Sequence, residues 1–485
     1  VGVFALVLVL YGVLLPIGLS QWDPGEMQTV PFILGIPHAP GFPLYVLAGW
    51  LWSHAIPLGD VATRMTVLSA VCGAAAAYLA YRAAFELSGS LAAAILAAAL
   101  FALAPIVVVH VTRAGVEPMM TLLIALAVFS ALRFSRTGSP RALIVASGAC
   151  GLALAVHTLA IWFLPGITLL LAQRLAPVPR RAIVTAAAAF LVGPLTYLYL
   201  PVRSAIIARG GLDPTVGLGM IPGVQGLIDN DHPAAWDGFV RHVTGAQYGA
   251  GNALVAPLLL GAYPSYLDRW WEILCAPAGI VSGALAVAGL AALIARRPQT
   301  GIALALVGFL AIPFSLRYGV LQDAAKYYVV AVWIAAVLAA LGARALVEIG
   351  RSAVQRRTVA LALAAAATFG VAHVIAADPG TYGGRHRVDG RNVVSGVIAA
   401  TPPDAIVVAA WTYATPLAYA QYVEGSFGNR QVITDDAPRE LVGRWVRERP
   451  VYVIPFDEGS KPASLELAEV PGSWPRIYRV LPPSP

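Results

Sequence analysis

Two carboxylates and a histidine fall close together near the start of the chain. The stretch reads Trp22-Asp23-Pro24-Gly25-Glu26, then Leu34-Gly35-Ile36-Pro37-His38-Ala39-Pro40-Gly41-Phe42-Pro43-Leu44-Tyr45. A carboxylate can take the proton of a hydroxyl as its oxygen forms a new bond. If Gly25-Glu26 opens a helix, Asp23 falls in its N-cap region and Glu26 in its first turn, where the helix dipole favours anions. The same pattern also describes a capped interfacial helix before a Pro-rich turn, with no chemistry at all. Further along come Arg113 and Glu117, His157, Arg203 in Tyr199-Leu200-Pro201-Val202-Arg203-Ser204, and Asp323, Lys326 and Tyr327 in Gln322-Asp323-Ala324-Ala325-Lys326-Tyr327-Tyr328. Arg and Lys suit the developing charge on a leaving phosphate. Taken singly, each is an ordinary interfacial anchor; acid, base and cation at one membrane level would together suit transfer from a phosphate-linked donor to a hydroxyl. Asp23, Glu26 and His38 match no specific zinc or calcium spacing, so no metal site is assigned and a divalent-metal requirement stays open.

The elements that must position these groups follow from composition. Of 485 residues, 59% are hydrophobic and 12% charged, with mean hydropathy +0.75. Soluble domains carry about 25% charged residues, so lipid must be the solvent for much of this chain. Apolar runs near the length that crosses a bilayer core predict eleven spans, at 1–20, 60–82, 90–110, 116–134, 141–157, 159–174, 182–200, 273–295, 300–317, 326–347 and 356–376. Two spans share 141–174 and must be short helices or a re-entrant pair. Arginines cluster in the connectors, as Arg133, Arg136 and Arg141; Arg174, Arg180 and Arg181; Arg296 and Arg297; and Arg344, Arg351, Arg356 and Arg357. By the positive-inside rule these connectors are cytoplasmic. That sets the N-terminus inside and three segments outside: 21–59, 201–272 and the tail from 378.

The tail changes character. Buried strands are expected at 405–411, 431–434 and 451–455, with helices at 413–423 and 438–449, a small α/β domain with a parallel sheet. The expected organisation is a membrane domain over 1–377, with outer loops 21–59 and 201–272, and a soluble extracytoplasmic domain over 378–485. The net charge of +7 resides in connectors rather than in a basic patch with interleaved aromatics, which argues against nucleic acid. Cys72, Cys150 and Cys275 lie in or beside apolar runs and read as small core residues. Val1 stands inside an apolar run without an initiator Met, so the natural N-terminus is expected upstream, and Gln21-Trp22-Asp23 is not a signal-peptide cleavage site.

The motif Asp23-Pro-Gly-Glu26 … Leu-Gly-Ile-Pro-His38-Ala-Pro-Gly-Phe-Pro-Leu-Tyr45 resembles the opening signature D-S-G-E … L-G-x-x-H-P-P-G-Y-P-L-Y of the transmembrane O-mannosyltransferase-like proteins. Gly115-Val116-Glu117, Gly151-Leu152 … His157, Tyr197-Leu-Tyr-Leu-Pro-Val-Arg203, Gly238-Phe239 … His242-Val-Thr-Gly-Ala-Gln-Tyr248 and Tyr419 … Tyr422-Val-Glu424-Gly425 resemble later motifs of the same family. Pro24, Ala39 and the missing Tyr after Glu117 depart from its pattern. The resemblance implies a bacterial member with a helical, polytopic GT-C-like fold of about eleven spans. It implies a glycosyltransferase using a polyprenyl-phosphate sugar as donor substrate, mannose in the animal relatives, with Asp23 as general base and Glu26 in support. His38, Arg113, Glu117, His157, Arg203 and His242 would line the donor site, with Lys326 and Tyr327 alongside. No cofactor is required by the sequence; the implied partners are membrane lipid and an acceptor protein or glycan, and the implied location is the inner membrane. Two other readings use the same features, a transporter or flippase of lipid-linked sugars and a non-catalytic partner that presents lipid. A charge-lined path through the bilayer would favour the former.

Overall fold

A computed structural model of the chain describes residues 1–57, 59–175, 178–214, 218, 226–246, 263–312, 324–377, 389–435, 437, 439–462 and 465–482. The chain divides into two compact units. One comprises 1–15, 69–196 and 248–386, and the other 16–68, 197–247 and 387–485.

The apolar runs become helices. Val61–Ser88, Glu117–Thr137, Arg180–Gly210, Gly279–Arg296, Lys326–Ile349 and Ala353–Ala377 are each long and apolar enough to cross a membrane. Leu91–Ala102 and Pro105–Val111 form a pair bent by 65°, broken where Pro105 cannot donate a helical hydrogen bond. Shorter apolar helices are Gly2–Leu14, Pro140–Val156, Thr158–Ala172 and Pro298–Phe309. Every expected span therefore overlaps a helix. The crowded stretch 141–174 resolves into Pro140–Val156, a 3-10 turn over Thr158–Phe163 and Leu164–Ala172, separated at His157, whose backbone is extended.

In the first unit, Val329–Ala340 is buried without interruption, as expected for a central helix that is hydrophobic all round. Glycines let its helices approach closely. A Cβ on Gly151 would lie 1.8 Å from the Phe190 carbonyl, and one on Gly193 1.8 Å from the Gly151 carbonyl. A Cβ on Gly289 would meet the Leu338 carbonyl, and one on Gly342 the Leu285 carbonyl, each at 1.9 Å. Packing of this kind drives helix association in lipid, where the hydrophobic effect is absent between spans.

The second unit is α/β. Its helices are α1 (Trp22–Thr29), α2 (Pro43–Ala55), α3 (Tyr199–Gly210), α4 (Trp236–Thr244), α5 (Gly390–Ala400), α6 (Trp411–Tyr419) and α7 (Arg439–Trp445). Its strands are β1 (Ile406–Ala409), β2 (Gln431–Thr434), β3 (Val451–Ile454), β4 (Leu467–Glu469) and β5 (Tyr478–Val480), in sheet order β2-β1-β3-β5-β4. β1 is parallel to both neighbours, pairing Ile406 with Gln431 and Val451; β5 and β4 are antiparallel additions. Alternation sorts the central strand between two cores. Val407 and Ala409 pack with Val393, Val397, Leu417 and Tyr419, while Ile406 and Val408 pack with Val442 and Trp445. The expected three parallel strands are present, but Trp411 opens a helix rather than ending a strand, and the two short antiparallel strands were not anticipated.

Candidate active site

The site is assembled in the second unit from α1 upward. α1 is eight residues long with Asp23 in its first turn. Gln28 anchors it: its Oε1 accepts from the Ser20 amide at 2.8 Å, and its Nε2 faces Gly18 O, Ala62 O and Thr66 Oγ1 at 3.2–3.3 Å. Gly25 is required by close approach, since a Cβ there would stand 2.6 Å from Ser20 O and 2.8 Å from Thr415 Oγ1 of α6.

Glu26 is fully committed. The amide of His38 donates to its Oε1 at 2.8 Å, and the His38 ring nitrogen Nδ1 engages its Oε2. Its side chain is 1% exposed; an unpaired carboxylate there would cost several kcal/mol, so the pair holds the loop to the helix. The His38 ring stands edge-on to Phe42 and Trp411, with centroids 5.1 and 6.1 Å away. Asp23 is half-buried, and the indole Nε1 of Trp411 donates to its Oδ1 at 3.0 Å. Trp22, beside it, packs edge-on against Phe456 at 5.5 Å.

The loop leading to His38 is braced from 197–247. Ile36 N donates to Ile228 O at 2.7 Å, and Asn230 N to Ile36 O at 3.3 Å. From α3, Tyr199 donates its hydroxyl to the carbonyls of Leu34 and Gly35 (2.6 and 2.9 Å), and Arg203 donates Nε and Nη2 to Leu34 O and Ile33 O (2.6 and 3.0 Å). Gly41 adopts φ +89°, and a Cβ on it would meet His242 Nε2 at 2.7 Å. His242 is fully buried, its Nδ1 3.0 Å from Asp231 Oδ2. Arg241 donates Nε to Asp231 Oδ1 at 2.9 Å. Burial opposes ionisation of Asp231, but the hydrogen bonds and charges of His242 and Arg241 outweigh it and hold the carboxyl below its ordinary range.

The ten residues singled out from sequence divide equally between the units. Asp23, Glu26, His38, Arg203 and His242 lie in the second; Arg113, Glu117, His157, Lys326 and Tyr327 lie in the first. Within the second unit Glu26 and His38 touch, and Asp23 is linked to His38 through Trp411. Arg203 and His242 serve the loop backbone and Asp231 in the contacts described. In the first unit, His157 accepts the Leu159 amide at Nδ1 (3.0 Å) and stands edge-on to Tyr327 at 5.6 Å. Lys326 Nζ lies 5.4 Å from the Tyr327 ring. Glu117 opens its helix, its Oε2 so near Gly115 that a Cβ would lie 2.7 Å away. Asp323 and Tyr248 lie outside the described residues. Trp411 and Asp231 escaped sequence reasoning: Trp411 follows a strand end, where function often gathers in parallel sheets, and that was its one signal. Among the described residues, no group of three or more His, Cys, Asp or Glu is arranged to hold a metal ion.

The fold is similar to that of ArnT from Cupriavidus metallidurans bound to undecaprenyl phosphate (TM-score 0.58, 13% identity, 98% of this chain and 96% of that one). It is also similar to the archaeal oligosaccharyltransferase AglB from Archaeoglobus fulgidus, in complex with an inhibitory peptide and a dolichol-phosphate (TM-score 0.50, 13% identity, 93% and 69%). The chain shares the fold of these two structures, and its apolar helices of membrane-crossing length make it an integral membrane protein. Residues 23–177 match the family model of the protein O-mannosyl-transferase TMEM260 N-terminal domain. Protein O-mannosyl-transferase TMEM260 of Mus musculus is 35% identical over 211 residues, 42% of this chain and 30% of that protein. The Dictyostelium discoideum protein of the same name is 26% identical over 119 residues, 24% and 14%. In this N-terminal region the chain is similar to the transmembrane O-mannosyltransferase family, and its alignments span less than a third of the length of these curated relatives.

Proposed function

We propose that the chain is a membrane glycosyltransferase that moves a sugar from a polyprenyl-phosphate donor to an acceptor hydroxyl on the extracytoplasmic face, with Asp23 as general base. The observation that carries this reading is that Asp23, within the family-matched region, is a half-buried carboxylate beside the fully engaged Glu26–His38 pair. Asp23 takes the acceptor proton while the acceptor oxygen bonds to the anomeric carbon. The bond from that carbon to the donor phosphate oxygen breaks, and the lipid phosphate departs with the electron pair. Glu26 cannot be the base while both its oxygens serve His38; its role is to fix the loop. Arg113 and Lys326 supply cations suited to the phosphate, with Glu117, His157 and Tyr327 as further candidates for donor contact. Arg203 and His242 act by shaping the His38 loop.

The donor class is supported by undecaprenyl phosphate in ArnT and dolichol-phosphate in AglB, and mannose by the names of the curated relatives. Orientation rests on the arginine-rich connectors. The test is transfer in membranes supplied with labelled polyprenyl-phosphate mannose, comparing wild type with Asp23→Asn at equal expression. Label reaching a non-lipid product with wild type and falling at least 100-fold in the variant is the expected result; equal transfer by both removes Asp23 from the mechanism.

A further inference from the structure

The C-terminal sheet has a vacant-looking feature that the chain itself fills. In parallel α/β sheets, ligands bind outside the carboxyl ends of strands where the winding reverses. Here β1 is followed by α6 on one face, and β2 by α7 on the other, so the reversal falls between β1 and β3 in the order β2-β1-β3. The residues just beyond those two strands are Trp411, after β1, and Phe456, after β3. Both point at the start of α1: Phe456 packs on Trp22, and Trp411 donates to Asp23. The crevice that would take a ligand in a free-standing domain grips the base-bearing helix instead. Gly25, pressed against Thr415, keeps α1 and α6 close enough for this to happen.

We infer that Trp411 is a positioning residue for Asp23, so that the C-terminal sheet takes part in the chemical step by holding the base. The inference rests on the reading of Asp23 as general base. The indole N–H donates to one carboxylate oxygen and so biases the orientation of the carboxylate. The same indole ring lies perpendicular to His38, with centroids 6.1 Å apart, so one side chain touches both Asp23 and the Glu26–His38 pair. A general base displaced from its line to the acceptor loses rate far more readily than it loses substrate affinity.

The test uses the full chain and three forms: wild type, Asp23→Asn and Trp411→Phe, the last keeping a ring against His38 without the N–H. Trp411→Phe is expected to lower kcat roughly tenfold, the scale of a lost hydrogen bond to a charged group, with the donor KM unchanged and the thermal midpoint retained. If Trp411→Phe does not fold, benzothienylalanine at position 411, with sulfur in place of the N–H and the same ring shape, replaces it. A second readout needs no turnover: the indole N–H resonance that disappears in the position-411 variant should move in Asp23→Asn. A wild-type kcat in the folded position-411 variant, or a resonance unmoved in Asp23→Asn, overturns the inference while leaving an inactive Asp23→Asn to support the base. Full activity in Asp23→Asn overturns both.

Discussion

Asp231 illustrates how a buried carboxylate braces a loop that it does not itself touch. It carries the His242 ring, His242 underlies Gly41, and Gly41 closes the turn after His38. Its carboxyl ionises below the ordinary range in the folded chain, so its contribution to stability is present above the unfolded pKa of about 3.9 and is lost as pH falls through the lower folded value. Asp60 behaves alike: burial opposes its charge, but hydrogen bonds from Thr63 and Arg391 prevail. The second unit is therefore expected to lose thermal stability below about pH 4. In Asp231→Asn that acid dependence should be shallower, with the midpoint at pH 7 already lowered by a loss of about 1.5–3 kcal/mol. Thermal scans from pH 7 to pH 3 read this directly, and identical acid slopes in the two proteins would show that Asp231 is not the group responsible. Asp23, Glu26 and His38 were legible because they share one local segment with a recognisable spacing. Trp411 and Asp231 were not, because their partners lie 388 and 11 residues away and a contact of that kind leaves no periodicity behind.

At the scale of elements, hydropathy marked the long apolar helices because lipid imposes a length and an apolar composition that few other structures share. It could not mark the breaks at His157 and Pro105 as bends of a given size, nor the short strands β4 and β5, whose three residues each carry too little alternation to register. Glycine is where local sequence and packing meet most sharply. Within α1, Gly25 is a poor helix former by propensity, so an alanine there would help an isolated helix. The packing says otherwise, since a methyl would meet the Ser20 carbonyl and Thr415 at well under contact distance. The Ser20 carbonyl is backbone and cannot yield as a flexible side chain can, and the Thr415 side chain of α6 blocks the same methyl, so α1 must shift in its seat. Gly25→Ala is expected to lower the thermal midpoint and to reduce transfer at least tenfold by moving Asp23 from Trp411. A more stable, fully active variant would mean that α1 has slack in its seat.

The second unit as a whole is woven from three distant stretches, 16–68, 197–247 and 387–485. Its core shows why none of them stands alone: Leu19 and Ala62, Ile207 and Ile228, and Val393, Val407 and Leu417 belong to one cluster. Polar ties reinforce it. Arg391 pairs with Glu424 at 2.5 Å and with Asp60 at 3.3 Å, and the Tyr419 hydroxyl accepts the Ala62 amide at 3.2 Å. A tail that merely chose acceptors could be removed with the chemistry left intact, because a separate recognition module shares no core with the site it serves. Here removal of 387–485 would strip the central sheet, expose Leu19, Ile207 and Ile228, and take away Trp411. A chain ending at His386 is therefore expected to insert into membranes and to transfer no sugar, even to a small soluble alcohol offered at high concentration as a minimal acceptor. Supplying 387–485 as a separate polypeptide should restore part of the activity if the shared core can reassemble, since the segments meet by packing rather than by a covalent link. Full transfer to the small alcohol by the truncated chain would instead make the tail an acceptor-selecting module and leave the α1–α6 contact without a catalytic consequence.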